Sequence, residues 1–358
     1  MIKYIGSKRR LVPLLGAIID TMRLQGHVLD AFSGTARVGH ALKQRGHRVT
    51  SNDHNAYAAT LARCYVEADK ETWDRAATQL VDELNRLPGA PDYFTATFCE
   101  KSRFFHPKNG ARVDAIRERL ARMGLEPALE AVMLTSLMEA ADRVDSTVGV
   151  QMAYLKDWAP RAHNDLELRV PELLPRVAAG GGRATQLDVL DAVRGTPADI
   201  IYLDPPYNQH KYRSNYHIWE TLVVWDKPEV YGVACKRADC RTQQSPFNSK
   251  ARAESGLQEV LHESRASDVV LSFNDEGFVA PTAIESMLRA WPHVLCVSVP
   301  FQRYVGAQIG VYDPSGVRVG VPGRRHNTEH VYIATSREET AQALAALGDW
   351  HVRLCPHP

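Results

Sequence analysis

No apolar run in the 358 residues approaches the ~20 of a transmembrane helix, so no membrane partner is expected. Cysteines are few and scattered: Cys64, Cys99, Cys235, Cys240, Cys296 and Cys355, with no CxxC spacing among them. That argues against a zinc site and a disulfide framework and for reduced thiols; no metal is expected. The opening Met1-Ile2-Lys3-Tyr4 does not read as a signal peptide, so a cytoplasmic protein is expected. Net charge is only +1, so no global basic field announces a nucleic-acid partner, and any such binding must come from local patches. Internal repeats and low-complexity tracts are missing, as is a complete GxGxxG fingerprint. What remains is an ordinary globular composition, 44% hydrophobic and 24% charged, in a chain long enough for a large core and two structural units.

The most informative segment is Ile200-Ile201-Tyr202-Leu203 running into Asp204-Pro205-Pro206-Tyr207. The first four residues predict a short buried strand. Two prolines, neither able to donate a ladder hydrogen bond, cut it off. A carboxylate, a rigid turn and an aromatic ring therefore sit at the carboxyl end of a strand, where open α/β sheets bind ligands. Asp204 accepts hydrogen bonds, the backbone of Pro205 is acceptor-only, and Tyr207 offers a flat face and a hydroxyl. Two acceptors beside an aromatic face suit a planar ring with an exocyclic amine, such as adenine or cytosine. A Pro-Pro turn with an incidental Asp gives the same four letters.

Residues 27–32 predict a strand, Ser33-Gly34-Thr35 a turn, 36–45 a helix ended by Gly46, and 47–52 a second strand. That is a βαβ unit. Helical periodicity then takes over at 72–87, at 111–123 and from Pro127 to about Val144. Strands resume at 183–187, 200–203, 269–273, 294–299 and 329–334. We read 1–69 with 166–358 as one α/β domain and 70–165 as a helical insertion. Residues 208–256 and 301–328, polar and basic, read as long loops or small subdomains.

In the first turn, Asp30-Ala31-Phe32-Ser33-Gly34-Thr35, a glycine lets backbone approach a ligand and the following helix favours a negative group. A plain tight turn reads the same way. Asp53 ends the next strand, about 20 residues on, the usual distance for an acid that binds ribose hydroxyls. Together they imply a nucleoside-bearing cofactor. Asp188 could accept from an adenine amine, cap the helix at 189–194, or do both. Near the start, Lys3-Tyr4-Ile5-Gly6-Ser7-Lys8 is either a solvated basic segment or a loop over the cofactor.

In order and wording these motifs resemble the Dam-type DNA N6-adenine methyltransferases. Lys3 to Lys8 resembles their Lys-Trp-Ala-Gly-Gly-Lys motif, with Tyr4 in place of Trp. Asp30 to Thr35 resembles their Pro-Phe-x-Gly-x-Gly loop, with Ala31 for proline and Ala36 for a glycine. Asn52-Asp53-His54-Asn55 resembles the ribose motif, and Asp204-Pro205-Pro206-Tyr207 is the catalytic motif as it stands. Leu271-Ser272-Phe273-Asn274-Asp275-Glu276-Gly277 resembles their Ser-Tyr-x-x-Glu-Gly segment. Phe104-Phe105 with Asn109, Asp114, Ile116 and Arg117, and Thr147 to Val150 with Ala153 to Lys156, resemble stretches of restriction-linked members. That places them on the cofactor and DNA side of the insertion.

The resemblance implies a doubly wound, mostly parallel Rossmann-like methyltransferase sheet with a helical insertion and basic DNA-binding loops. It implies a site-specific enzyme, of a prokaryote or phage, that moves a methyl from S-adenosylmethionine to N6 of an adenine flipped out of double-stranded DNA. The enzyme would work either beside a cognate restriction endonuclease or as an orphan. Tyr4, Lys8, Asp30, Phe32, Gly34, Asp53, Asp188 and Asp204 are then expected at the cofactor. Asp204, Pro205, Pro206 and Tyr207 are expected at the target base. For phosphate contacts we look to Lys211, Arg213, Lys236, Arg237 and Arg241, with Lys250 and Arg252 nearby, and to Arg324 and Arg325 beside Arg318 and His326. Each cluster could also be a solvated loop. Rival readings keep the chemistry on cytosine N4 of DNA or adenine N6 of RNA. Others drop it: an inactive DNA-binding specificity protein, or a nicotinamide dehydrogenase, against which the incomplete glycine fingerprint argues.

Overall fold

The computed structural model describes residues 1–22, 26–302, 326–347, 350 and 352–355. Its strands are β1 (His27–Asp30), β2 (Arg48–Asn52), β3 (Arg183–Thr185), β4 (Ile200–Leu203), β5 (Val230–Tyr231), β6 (Lys236–Arg237), β7 (Asp268–Asn274), β8 (His293–Gln302), β9 (His326–Thr335) and β10 (Val352–Leu354). The chain packs as two units: Met1–Ala198 with Lys211–Gln244, and Asp199–His210 with Ser245–Pro358.

In the first unit β1, β2 and β3 run parallel, with Leu29 opposite Thr50 and Ser51 opposite Ala184. The helix Arg37–Gln44 makes the crossover from β1 to β2, and Gly46 (φ +92°) ends the turn after it. Parallel strands need such a crossover. The helical stretch consists mainly of Lys70–Asn85, Pro107–Ala121 and Pro127–Arg143. The middle helix begins four residues before its apolar period suggests. Pro107 suits the first turn and His106 accepts from the Lys108 amide, so a polar first turn is capped into the helix. Within the segment read as long loops or a small subdomain, His217–Val224 is a helix that buries Ile218, Trp219 and Leu222, and β5 and β6 form a two-stranded antiparallel ribbon.

In the second unit β4 pairs parallel with β7, Leu203 opposite Leu271. Both are buried along their whole length, which explains their continuous apolar runs. From β7 outward the pairing turns antiparallel: β9 against β7, β8 against β9 and β10 against β8. The α/β class read from the sequence holds, and the sheet is parallel where crossovers join it and antiparallel beyond β7. β8 and β9 are longer than their apolar cores suggested, because each pairs with the other along ten residues. The β7–β9 register sets Asn274 opposite Glu329 at the carboxyl end of β7.

Candidate active site

In the second unit, β4 ends at Leu203 and hands the chain to Asp204-Pro205-Pro206-Tyr207. The Tyr207 hydroxyl donates to Asp204 Oδ1 at 2.5 Å, and the same oxygen lies 3.3 Å from Glu329 Oε2. Glu329 Oε1 accepts from Asn274 Nδ2 at 3.1 Å, across the register pair. The Tyr207 ring packs at 51° against Phe273, centroids 4.9 Å apart. Its carbonyl accepts from the Phe278 amide at 2.8 Å, which ties the turn to the loop after β7. That loop is compact: Asn274 Oδ1 accepts from the Glu276 amide and its carbonyl from Gly277. Beyond Tyr207, Asn248 Nδ2 donates to the carbonyls of Asn208 (2.7 Å) and His210 (3.1 Å). Burial, with the carboxylates of Asp204 and Glu329, holds the Tyr207 phenol well above its ordinary range, so it stays protonated and remains a donor. Glu329 is a residue that sequence reasoning missed. No local motif marks it, and only strand register brings it here.

In the first unit the turn after β1 is shaped for close approach. Gly34 has φ +51°, and a Cβ on it would lie 3.4 Å from the Tyr4 ring. Its amide donates to Asp53 Oδ2 at 3.0 Å. Asp53 Oδ1 accepts from the Asn55 amide and from Asn55 Nδ2. Three of the carboxylate's roughly four acceptor positions are thus filled by described residues. Burial pushes the Asp53 carboxyl up, against the pull of those hydrogen bonds. Asp30 is buried, with Ser51 Oγ at 3.5 Å from its Oδ2, and Phe32 is half-buried. Ser33 Oγ is buried in the same turn and has no hydrogen-bond partner among the described residues. A tight turn with an uncommitted hydroxyl and an acid at its edge fits a polar, hydroxyl-bearing ligand such as a nucleoside.

The Tyr4 ring stacks on Tyr216 (4.5 Å, 14°) and Tyr212 (5.2 Å, 12°), and its hydroxyl lies 3.1 Å from that of Tyr57. The segment carrying it is held firmly. The Lys3 amide donates to Asp142, Lys3 Nζ pairs with Asp145 at 2.7 Å, and the Ile5 amide donates to Tyr216 at 2.6 Å. Lys8 lies buried in the short turn Lys8–Arg10. Asp188 is exposed and caps the helix Val189–Gly195 through the Leu190 amide. That settles the capping half of its two readings.

Ala36 adopts φ +57°, a left-handed conformation at the head of the helix Arg37–Gln44. This is the position where the resembled family carries glycine, and the backbone has kept the glycine's conformation. An L-residue there costs roughly 1–2 kcal/mol, against about 0.5–1 for glycine's extra chain entropy. Ala36→Gly is therefore expected to raise stability by up to about 1 kcal/mol in chemical denaturation. A loss of stability would show that the Ala36 methyl, fully buried, contributes more by packing.

Several basic residues look inward. Arg213 bridges Glu220 (2.8 Å) and Asp239 (2.6 Å), and Glu220 in turn accepts from the amides of Ala56 and Tyr57 at the head of the helix Ala56–Ala62. Arg237, 4% exposed, is bidentate to Asp226 and also meets Asp239. Read from the sequence as phosphate contacts, both instead direct their charge into the protein. Arg237→Ala is expected to lose about 1–3 kcal/mol of stability, because its partly exposed acids lose their counter-charge. It should leave the salt dependence of DNA binding unchanged; a shallower salt slope with unchanged stability would return it to the DNA. Lys211 and Lys236 are half-exposed, and Arg241 is exposed with its guanidinium 3.9 Å over the Tyr231 ring. Lys250 and Arg252 are exposed. Arg318, Arg324 and Arg325 lie outside the described residues, as does the side chain of His326.

Three of the insertion residues singled out by resemblance, Asp114, Asn109 and Arg117, are committed to hydrogen bonds within the protein. Asp114 is fully buried and accepts from the amides of Asp92, Phe94 and Thr95 and from the Thr95 hydroxyl. Asn109 binds the carbonyls of Ala162 and Asn164 and the Leu166 amide. Arg117 donates to the carbonyls of Leu222 and Val223 and lies over Trp225. Buried polar groups need such partners, and these three hold the helices and loops together.

Comparison with known proteins agrees with this geometry. The chain is 26% identical to the type II methyltransferase M.NlaIII of Neisseria lactamica over 84% of this chain and 92% of that one. It is 27% identical to the type II methyltransferase M.FokI of Planomicrobium okeanokoites over 80% of this chain and 47% of that one. It is 24% identical to the type II methyltransferase M.CviAII of Paramecium bursaria Chlorella virus 1, over 81% of this chain and 88% of that one. The match thus spans about half of M.FokI and nearly all of M.NlaIII. Residues 4–268 match the family model of the D12 class N6 adenine-specific DNA methyltransferase, a stretch that takes in Tyr4, the turn after β1, Asp53 and the turn after β4. The chain belongs to the D12 class N6 adenine-specific DNA methyltransferases.

Proposed function

We propose that this protein transfers a methyl group from S-adenosylmethionine to N6 of an adenine in double-stranded DNA. The observation that carries the reading is the turn after β4, where Asp204 and the Tyr207 ring are held together at the end of a buried strand, in a chain of this family. The exocyclic nitrogen of adenine is a poor nucleophile, because its lone pair is delocalised into the ring. Asp204 and the Pro205 carbonyl accept its hydrogens and favour pyramidal nitrogen, which frees the lone pair. This accelerates transfer only in so far as those hydrogen bonds strengthen in the transition state. Tyr207 stacks on the base, returning about 1–3 kcal/mol of the cost of flipping it. S-adenosylmethionine, when bound, supplies an electrophilic methyl on a sulfonium. Tyr4, Lys8, Asp30, Phe32, Gly34 and Asp53 hold it, with the last acceptor position of Asp53 for a ribose hydroxyl and Asp188 for the adenine amine. Lys211, Lys236 and Arg241 are left as phosphate contacts from the described part of the basic loops. Residues 70–165 serve as a recognition subdomain of a cytoplasmic enzyme. The relatives carry type II methyltransferase and modification methylase names, which favours work beside a restriction endonuclease.

Methylation-sensitive sequencing of DNA from cells expressing the chain tests this. N6-methyladenine in one fixed short context is expected. Modified cytosine, or unmodified DNA, overturns the reading in favour of the N4-cytosine, RNA or non-enzymatic rivals.

A further inference from the structure

Tyr207 has one hydroxyl proton and two carboxylates within reach of it. In this structure Asp204 Oδ1 takes it at 2.5 Å, and Glu329 Oε2 stands 3.3 Å from the same oxygen. Under the function proposed above, on which this inference rests, Asp204 must accept from the target amine. The phenol therefore draws on a carboxylate that the substrate amine also uses and weakens it as an acceptor. We propose that Glu329 is a positioning residue that receives the Tyr207 hydroxyl when the base arrives, so that Asp204 is released for the amine while the Tyr207 ring stays in place.

The geometry suits the exchange. No proton is transferred; the O–H turns about the phenol C–O bond from one acceptor to the other. The ring does not need to move, since it is held by Phe273 at 4.9 Å and its main chain by the Phe278 amide. Glu329 is aimed by a side chain of its own register partner: Asn274 donates to Oε1, which leaves Oε2 turned to the phenol. Charged acceptors hold a phenol more strongly than neutral ones, so replacing Glu329 by glutamine leaves the hydroxyl on Asp204 in competition with the amine.

The test is a double-variant cycle on methyl transfer from labelled S-adenosylmethionine to unmethylated genomic DNA, with thermal unfolding of each variant alongside. Glu329→Gln is expected to lower kcat/KM about tenfold, the size of ordinary coupling between contacting side chains. In the Tyr207→Phe background, where the phenol no longer competes for Asp204, the same change should have almost no effect. Glu329→Asp, which keeps the charge and shortens the reach, should repeat the pattern if the glutamine variant folds poorly. Equal losses from Glu329→Gln in both backgrounds would assign Glu329 to scaffolding or to direct charge stabilisation and overturn the proposal. A parent protein that methylates no DNA would instead remove the functional reading on which it rests.

Discussion

Asp204→Ala is expected to abolish methyl transfer, with a loss of at least about 10²–10³-fold in kcat, the scale seen when one preorganised polar group is removed from a transition state. Cofactor affinity should fall much less, since the turn after β1 and Asp53 belong to other elements. The fold should tolerate the change. Tyr207 loses its acceptor at Asp204 but keeps Glu329 within 3.3 Å, so its phenol is not left stranded. Asp204→Asn keeps an acceptor oxygen without the charge and should fall between the two. Single-turnover transfer and calorimetric titration of S-adenosylmethionine separate chemistry from binding. Near-normal turnover in the alanine variant would remove Asp204 from the mechanism.

The second large effect is expected at Gly277, away from any reacting atom. A Cβ built there lies 2.2 Å from Cε1 of Phe273, a ring that is 3% exposed and packs on Tyr207. Gly277→Ala must push that ring toward Tyr207 or drive the loop after β7 away from it. Overpacking of this kind costs about 1–3 kcal/mol of stability. A displacement of the order of 1 Å in a positioned group costs about 10²-fold in rate. We therefore expect kcat to fall by roughly that factor while the protein remains folded at assay temperature. Gly195→Ala, where the added methyl meets open space, is the control: it should leave activity unchanged and not lower stability, with a gain of up to about 1 kcal/mol from the lost chain entropy. Full activity in the Gly277 variant would mean that the ring contact between Phe273 and Tyr207 has no bearing on catalysis.

Much of this arrangement is written in short stretches of sequence. The strand Ile200–Leu203 begins and ends where its apolar run and the two prolines put it. The turn between β1 and its helix, with Gly34 in the left-handed region, follows from residues adjacent in the chain. Local motifs are visible because their physics is local: a missing amide at proline, a missing Cβ at glycine. Glu329 is a different case. Its place beside Tyr207 depends on the pairing of β9 with β7, set by side chains some fifty residues apart. Nothing near Glu329 distinguishes it from any other strand-end acid. The internal pairing of Arg213 and Arg237 was hidden for a related reason: a basic run looks the same whether its partners are DNA phosphates or the acids of Glu220, Asp226 and Asp239. The helix His217–Val224 was concealed by the polar stretches on both sides of it, although its own composition is apolar.

The most direct test is chemical identification of the product. Purified protein, unmethylated duplex DNA and methyl-labelled S-adenosylmethionine are incubated together, and the DNA is digested to nucleosides and separated. Label is expected in N6-methyldeoxyadenosine and should be lost with Asp204→Ala. Label in N4-methyldeoxycytidine, or in N6-methyldeoxyadenosine at undiminished level in the Asp204 variant, would contradict the assignment of the turn after β4 as the grip on adenine's amine.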